Sequence, residues 1–164
     1  MTILVNILLN ACWSGVAALG FGILFNASSK IFFAIWLGGF VAGFVKFGML
    51  LYISPGSVVL ASFLAALSVG ILSIPVAHWR HTPPVIFSIP SVIPLMPGVF
   101  AYKTMLGLMK LVSETDTGYM QILANTFHYG VITLFVVLSL ALGVSIPMHI
   151  LRADSVKNIR LKSK

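Results

Sequence analysis

Residues Ile86–Lys110 read IFSIPSVIPLMPGVFAYKTMLGLMK, and the way this stretch folds decides how the rest of the chain is arranged. It is about as apolar as a membrane span, yet it carries prolines at 90, 94 and 97, a glycine at 98 and lysines at 103 and 110. Each proline removes one helix donor and clashes with the carbonyl four residues back, costing about 3 kcal/mol or more in a helix interior. The spacing predicts two half-helices meeting at Pro94-Leu95-Met96-Pro97-Gly98, with backbone groups left free at the break. Inside a bilayer such backbone is tolerated only where protein buries it or a watery cavity faces it. Discontinuous helices of this kind build the substrate sites of secondary transporters. The competing reading is a proline-kinked packing helix, since sharp kinks occur at proline.

The flanking chain sets the class. Of its 164 residues 59% are hydrophobic and only 8% charged, and the mean hydropathy is +1.08. A soluble domain carries roughly 25% charged residues, so this composition belongs to an integral membrane protein. At roughly 20 residues per span, the length allows four or five spans and no soluble domain. The spans fall at about 3–25, 31–52, 57–77, the broken segment 86–110, and about 121–149. The expected fold is all-α, a polytopic transmembrane bundle of about five spans with one discontinuous, proline-broken helix. Residues 1–151 form the transmembrane region and 152–164 a basic tail. MTILVNILLN lacks the basic n-region of a signal peptide, so the first span is expected to be retained. Cys12, the single cysteine, reads as a small packing residue.

Net charge +7 would point to nucleic acid in a soluble protein. Here the cations set orientation, and no nucleic-acid partner is expected. The tail carries Lys or Arg at 152, 157, 160, 162 and 164, which places it in the cytoplasm. Counting back through five spans puts Arg80 and Lys30 inside as well. The turn at Ser54-Pro55-Gly56 and the loop of Glu114 and Asp116 then fall outside. Asn26-Ala27-Ser28 fits a glycosylation sequon, a pattern frequent by chance.

Polar residues inside the spans mark the candidate sites. Gly39, Gly43 and Lys46 share one helix face by their i, i+4, i+7 spacing, and Gly39 and Gly43 form a GxxxG packing pattern. Lys46 therefore points either toward a neighbour or cavity, or toward the interface by snorkelling. Lys103, Gly107 and Lys110 repeat that stripe on the second half-helix. Lys103 lies nearer the membrane middle, where a charge is costly and usually functional; Lys110 lies near the helix end and is expected to snorkel. A half-helix starting near Pro97-Gly98 would also direct free N–H groups at the break, so helix start and lysine together suit a carboxylate. Gln121, Asn125 and His128 share a face in the last span, continued by Ser139 and Gly143. His128 could carry protons, or be hydrogen-bonded between helices. With Lys46 it is a candidate for coupling or charge relay. Asn6, Asn10 and Ser14, and the small pairs Ala66/Gly70 and Ser139/Gly143, read as helix contacts.

His78-x-x-His81 has no carboxylate or cysteine nearby to complete a metal site, and no metal or cofactor is expected. The chain holds three acids, Glu114, Asp116 and Asp154, none within a span, and neither HExxH nor GxSxG. An enzyme is disfavoured.

The run Pro90-Ser91-Val92-Ile93-Pro94-Leu95-Met96-Pro97-Gly98-Val99-Phe100-Ala101-Tyr102-Lys103, with this length and hydropathy, resembles the threonine/serine exporter family. It looks most like the small YjjB-like subunit, equivalent to the C-terminal half of the fused exporters. The specific part is the PLxPG stretch Pro94–Gly98 followed by Ala101-Tyr102. The resemblance implies a larger YjjP-like membrane subunit as companion. It implies export of threonine and serine, or of dicarboxylates such as succinate, across the bacterial inner membrane, and the split form looks more like the succinate-exporting pair. An odd number of spans would let a companion sit in the opposite orientation, the inverted-repeat plan of many transporters. An oligomer is compatible with that plan. The candidate substrate site is Pro90, Ser91, Pro94, Pro97, Gly98, Tyr102 and Lys103. The alternatives are threonine/serine export, and a structural scaffold with no substrate site of its own.

Overall fold

The computed structural model describes residues 2–52, 56–80, 82–113 and 118–161. Among these residues the structure is entirely helical. The helices are α1 (Thr2–Leu24), α2 (Phe32–Tyr52), α3 (Val58–Arg80), α4 (Val85–Val92), α5 (Gly98–Ser113) and α6 (Tyr119–Leu161). A 3-10 turn at Ser29–Ile31 leads into α2, and another at Ile93–Leu95 follows α4. Four stretches are long and apolar enough to cross a membrane: Ile3–Leu24, Ser29–Leu51, Val58–Trp79 and Tyr119–Ile150. There are five if the interrupted pair Val85–Leu95 and Gly98–Ser113 is one span. The chain is thus a polytopic helical bundle of four or five spans. Ser54, Pro55, His81, Glu114 and Asp116, which carry several of the expected turn and loop features, lie outside the described residues.

The helix ends follow local chemistry. Asn26 adopts a positive φ of 54°. Its N–H bonds the Ile23 carbonyl at 3.0 Å while that of Ala27 bonds Gly22 at 2.9 Å. This is a left-handed C-terminal cap, a conformation that asparagine tolerates better than most residues. Two elements run further than the sequence predicts. Helix α4, which contains Pro90 as expected, is followed by a 3-10 turn that covers Pro94, so the interruption narrows from Pro94–Gly98 to Met96-Pro97. Helix α6, expected to end near residue 149, continues to Leu161, into the basic segment. Prolines are tolerated in membrane helices because neighbouring helices and local adjustments satisfy the backbone they release.

The chain divides into two compact units: Met1–Leu95 with Ser139–Lys164, and Met96–Leu138. In the first, glycines let helix backbones meet. A Cβ on Gly39 would fall 2.5 Å from the Ala18 Cβ and 3.0 Å from the Ser14 carbonyl. One on Gly43 would fall 2.8 Å from the Ser14 Cβ. The stripe of α2 that holds both glycines therefore lies directly on α1. Behind it, Ala18, Ile31, Ile35 and Phe87 form a buried cluster joining α1, α2 and α4. A Cβ on Gly70 of α3 would fall 3.1 Å from the Gly143 carbonyl of α6 and 2.9 Å from the Pro147 ring, and one on Gly143 would fall 2.7 Å from the Ala66 Cβ. The small residues read from the sequence as two separate pairs meet one another. Close approach of this kind is how membrane helices gain packing energy, since lipid tails give apolar surface no reason to hide. The aromatic series Phe33, Trp36, Phe40 and Phe44 stacks along α2, with ring centroids 5.4–6.4 Å apart.

In the second unit, α5 and the first part of α6 pack by a reciprocal rule. Gly107 of α5 lies against Thr126 of α6, and Gly130 of α6 lies against the Thr104 methyl group of α5. Each threonine hydroxyl donates to a carbonyl of its own helix, Thr104 to Phe100 and Thr126 to Ile122. No polar group is stranded by the contact.

Candidate functional site

Chemistry-bearing side chains gather at one place in each unit. In the first unit the place is the end of α4. The Leu95 carbonyl ends the 3-10 turn, and in a continued helix it would bond the amide of Val99. The interruption at Met96-Pro97 leaves it open. Lys46 of α2 donates to it at 2.6 Å. The lysine is half-buried, and Leu95 is 2% exposed. Its ammonium therefore ends on backbone at the break, across 49 residues of sequence.

Pro90 and Ser91 are buried in the same unit. The Ser91 hydroxyl lies 2.7 Å from the Phe87 carbonyl and 3.1 Å from that of Ile35, under Gly38, where a Cβ would fall 2.5 Å from its oxygen. Serine and glycine at this crossing seat α4 on α2. Pro94 is half-buried. These residues shape the broken segment.

In the second unit the place is a shallow pocket of about 280 Å³. From α5 it is lined by Lys103, Leu106, Gly107 and Lys110, and from α6 by Ile122, Asn125, Thr126 and Tyr129. Both sets follow the i, i+3, i+4, i+7 spacing of one helix face. The glycine at 107 and the buried threonine at 126 bring the helices together, and the longer polar residues flank that contact. The Lys103 ammonium sits 4.9 Å from the centre of the Tyr129 ring, where the ring's electron-rich face attracts a cation. Tyr129 is held in turn by Phe100, stacked at 6.0 Å, and by the His128 ring edge at 5.7 Å. Two ammonium groups, an amide and an aromatic platform make a cation-rich recess suited to an anion. Pro97 is buried and Gly98 exposed at the start of α5, and Tyr102 is 64% exposed.

The seven candidate substrate residues thus divide between the units, Pro90, Ser91 and Pro94 in one and Pro97, Gly98, Tyr102 and Lys103 in the other. Lys110, expected to snorkel, lines the same pocket as Lys103. Of the face read as Gln121, Asn125 and His128, only Asn125 lines it; Gln121 and His128 are exposed. Tyr129 is a residue that the sequence reading misses, although it stands four residues after Asn125, the spacing that shares a helix face. The carbonyl of Leu95 could not have been found from side-chain patterns at all. Among the described residues no three His, Cys, Asp or Glu side chains come together to hold a metal.

A family model described as "Threonine/Serine exporter, ThrE" matches residues 10–150. The chain is also similar to an uncharacterized protein of Haemophilus influenzae, with 26% identity over 148 residues that cover 88% of this chain and 47% of that protein. It therefore spans about half the length of the curated relative it matches. No solved structure matches.

Proposed function

Because the chain belongs to the threonine/serine exporter family, we propose that it is one membrane half of a secondary exporter for small carboxylates, succinate or a similar dicarboxylate, and works with a larger YjjP-like subunit. The observation that carries this reading is the recess of Lys103 and Lys110 beside Asn125 and Tyr129. A dicarboxylate brings two negative charges, and the recess offers two ammonium groups with an amide as further donor. The Tyr129 ring holds Lys103 without neutralising it, so the cation stays available to an anion. Removing a carboxylate from water costs several kcal/mol, and paired, hydrogen-bonded cations offset that cost. Pro94–Gly98 supplies the break that starts α5, and Lys103 follows within its second turn.

A relative about twice as long accords with a second membrane half supplied by a companion. The basic segment after residue 151 accords with a cytoplasmic C-terminus in a bacterial inner membrane. Threonine/serine export is the second reading, favoured by the family's description; those substrates would present a single carboxylate to the same lysines. Under the third reading, a scaffold, the packing glycines would be the chain's whole contribution.

Efflux of labelled succinate and labelled threonine from proteoliposomes, with and without the companion, separates the three. Succinate flux that needs both chains, and is lost in Lys103→Ala while the protein still inserts, is the expected result. Undiminished flux in Lys103→Ala overturns the assigned role. Threonine flux alone moves the chain to the amino-acid branch, and flux from the companion alone makes it a scaffold.

A further inference from the structure

Residues 1–113 contain no aspartate or glutamate; the first acid is Glu114. Lys46 therefore sits in a membrane helix with no carboxylate available anywhere on α1 to α5. Its ammonium donates to the Leu95 carbonyl at 2.6 Å, and among the described residues it forms no ion pair. A snorkelling lysine would send its head along the helix toward water. Lys46 sends it across to the end of α4.

A cap on an open carbonyl does not call for a charge. Glutamine offers an N–H for such a bond without any ion to desolvate. A lysine within an apolar span, here six residues before the end of α2, is costly to take out of water, and a single carbonyl dipole compensates that only in part. An ammonium also has three donors, of which Leu95 takes one. The remainder is a half-buried positive charge, fixed in direction, with spare hydrogen-bonding capacity beside an interrupted helix. Intramembrane charges in this situation mark substrate and ion pathways.

We propose that Lys46 is a second anion-binding group, which takes the carboxylate of the transported molecule with the donors that Leu95 leaves free. The inference rests on the exporter reading above, and its ligand chemistry, a carboxylate, is common to a dicarboxylate and to threonine. The Leu95 carbonyl orients the ammonium, and the break that frees this carbonyl thereby creates the site's geometry. Lys46 is then distinct in role from Gly39 and Gly43 on the same helix, which serve contact with α1.

The test is concentration-dependent uptake of labelled succinate and threonine into inside-out membrane vesicles from cells making the full chain with its companion. Lys46→Gln keeps a donor for Leu95 and removes the charge; Lys46→Arg keeps the charge. With Lys46→Gln present in the membrane at wild-type level, KM for the carboxylate substrate rises about tenfold or more, the loss of one hydrogen bond to a charged group. Lys46→Arg restores most of that loss. A wild-type KM in Lys46→Gln overturns the proposal and leaves Lys46 a cap. A fall in maximal rate at unchanged KM, or loss of both variant proteins from the membrane, overturns it in favour of a structural role. Wild-type vesicles that take up neither substrate overturn the exporter reading itself, and this inference with it.

Discussion

Helices α4 and α5 lie on either side of one proline interruption and are treated oppositely. Helix α4 buries Phe87, Ser88, Pro90, Ser91 and Val92 within its unit, whereas α5 has no buried residue. Charge and side-chain size both contribute. Helix α5 carries Lys103 and Lys110 where α4 has no charged residue. Small Ser91 lets α4 settle on Gly38, while α5 carries Val99, Tyr102, Met105, Met109 and Val112 outward. In a membrane an apolar side chain gains nothing by leaving lipid, and close approach of small residues decides which face packs. The same contrast separates the two lysines. Lys46 is half-buried and directed at backbone, whereas Lys103 is exposed and directed over an aromatic ring.

The contrast can be broken at its packed side first. Gly39→Leu forces side-chain atoms into Ala18 and the Ser14 backbone. It should cost about 3 kcal/mol, at the upper end for overpacking, and remove most folded protein from detergent extracts in size-exclusion chromatography. Lys103→Gln should leave folding intact, since the lysine is exposed, and reduce carboxylate flux about tenfold or more by removing a charge-assisted contact. Tyr129→Leu removes the platform under Lys103. An exposed cation–π contact is worth about 0.5–1 kcal/mol, so KM should rise about two- to fivefold with little change in protein level. Gly98→Ala sharpens the comparison from the other end. A Cβ there meets nothing within 4 Å and the backbone φ is not positive. Thermal stability should shift by no more than about 0.5 kcal/mol equivalent, and flux should be preserved; flux lost at unchanged stability would show that a ligand approaches the Gly98 backbone.

Much of this architecture was legible in the sequence because its signals are local. Hydropathy gives the spans, and Asn26 and the prolines give the punctuation. Small residues at i, i+4 spacing gave the faces that meet, at Gly39 and Gly43 and at Ala66, Gly70 and Gly143. The differences of extent lie elsewhere. The break narrows because a 3-10 turn carries the chain through Pro94, and α6 passes the expected end near residue 149 because the basic segment continues the helix once the apolar run has ended. The sites were legible only in part. Lys46 and Lys103 stand out as charges in apolar runs, but their partners, the Leu95 carbonyl and the Tyr129 ring, are tertiary neighbours. One is a backbone atom 49 residues away, and the other lies on the facing helix.

The most direct measurement is equilibrium binding of labelled succinate to the chain, with and without the proposed companion, in lipid nanodiscs, with Lys103→Gln and Lys110→Gln in parallel. Saturable binding that weakens in both variants and falls with added salt is the predicted result. Binding of wild-type strength in both variants would contradict an anion site in the α5–α6 recess.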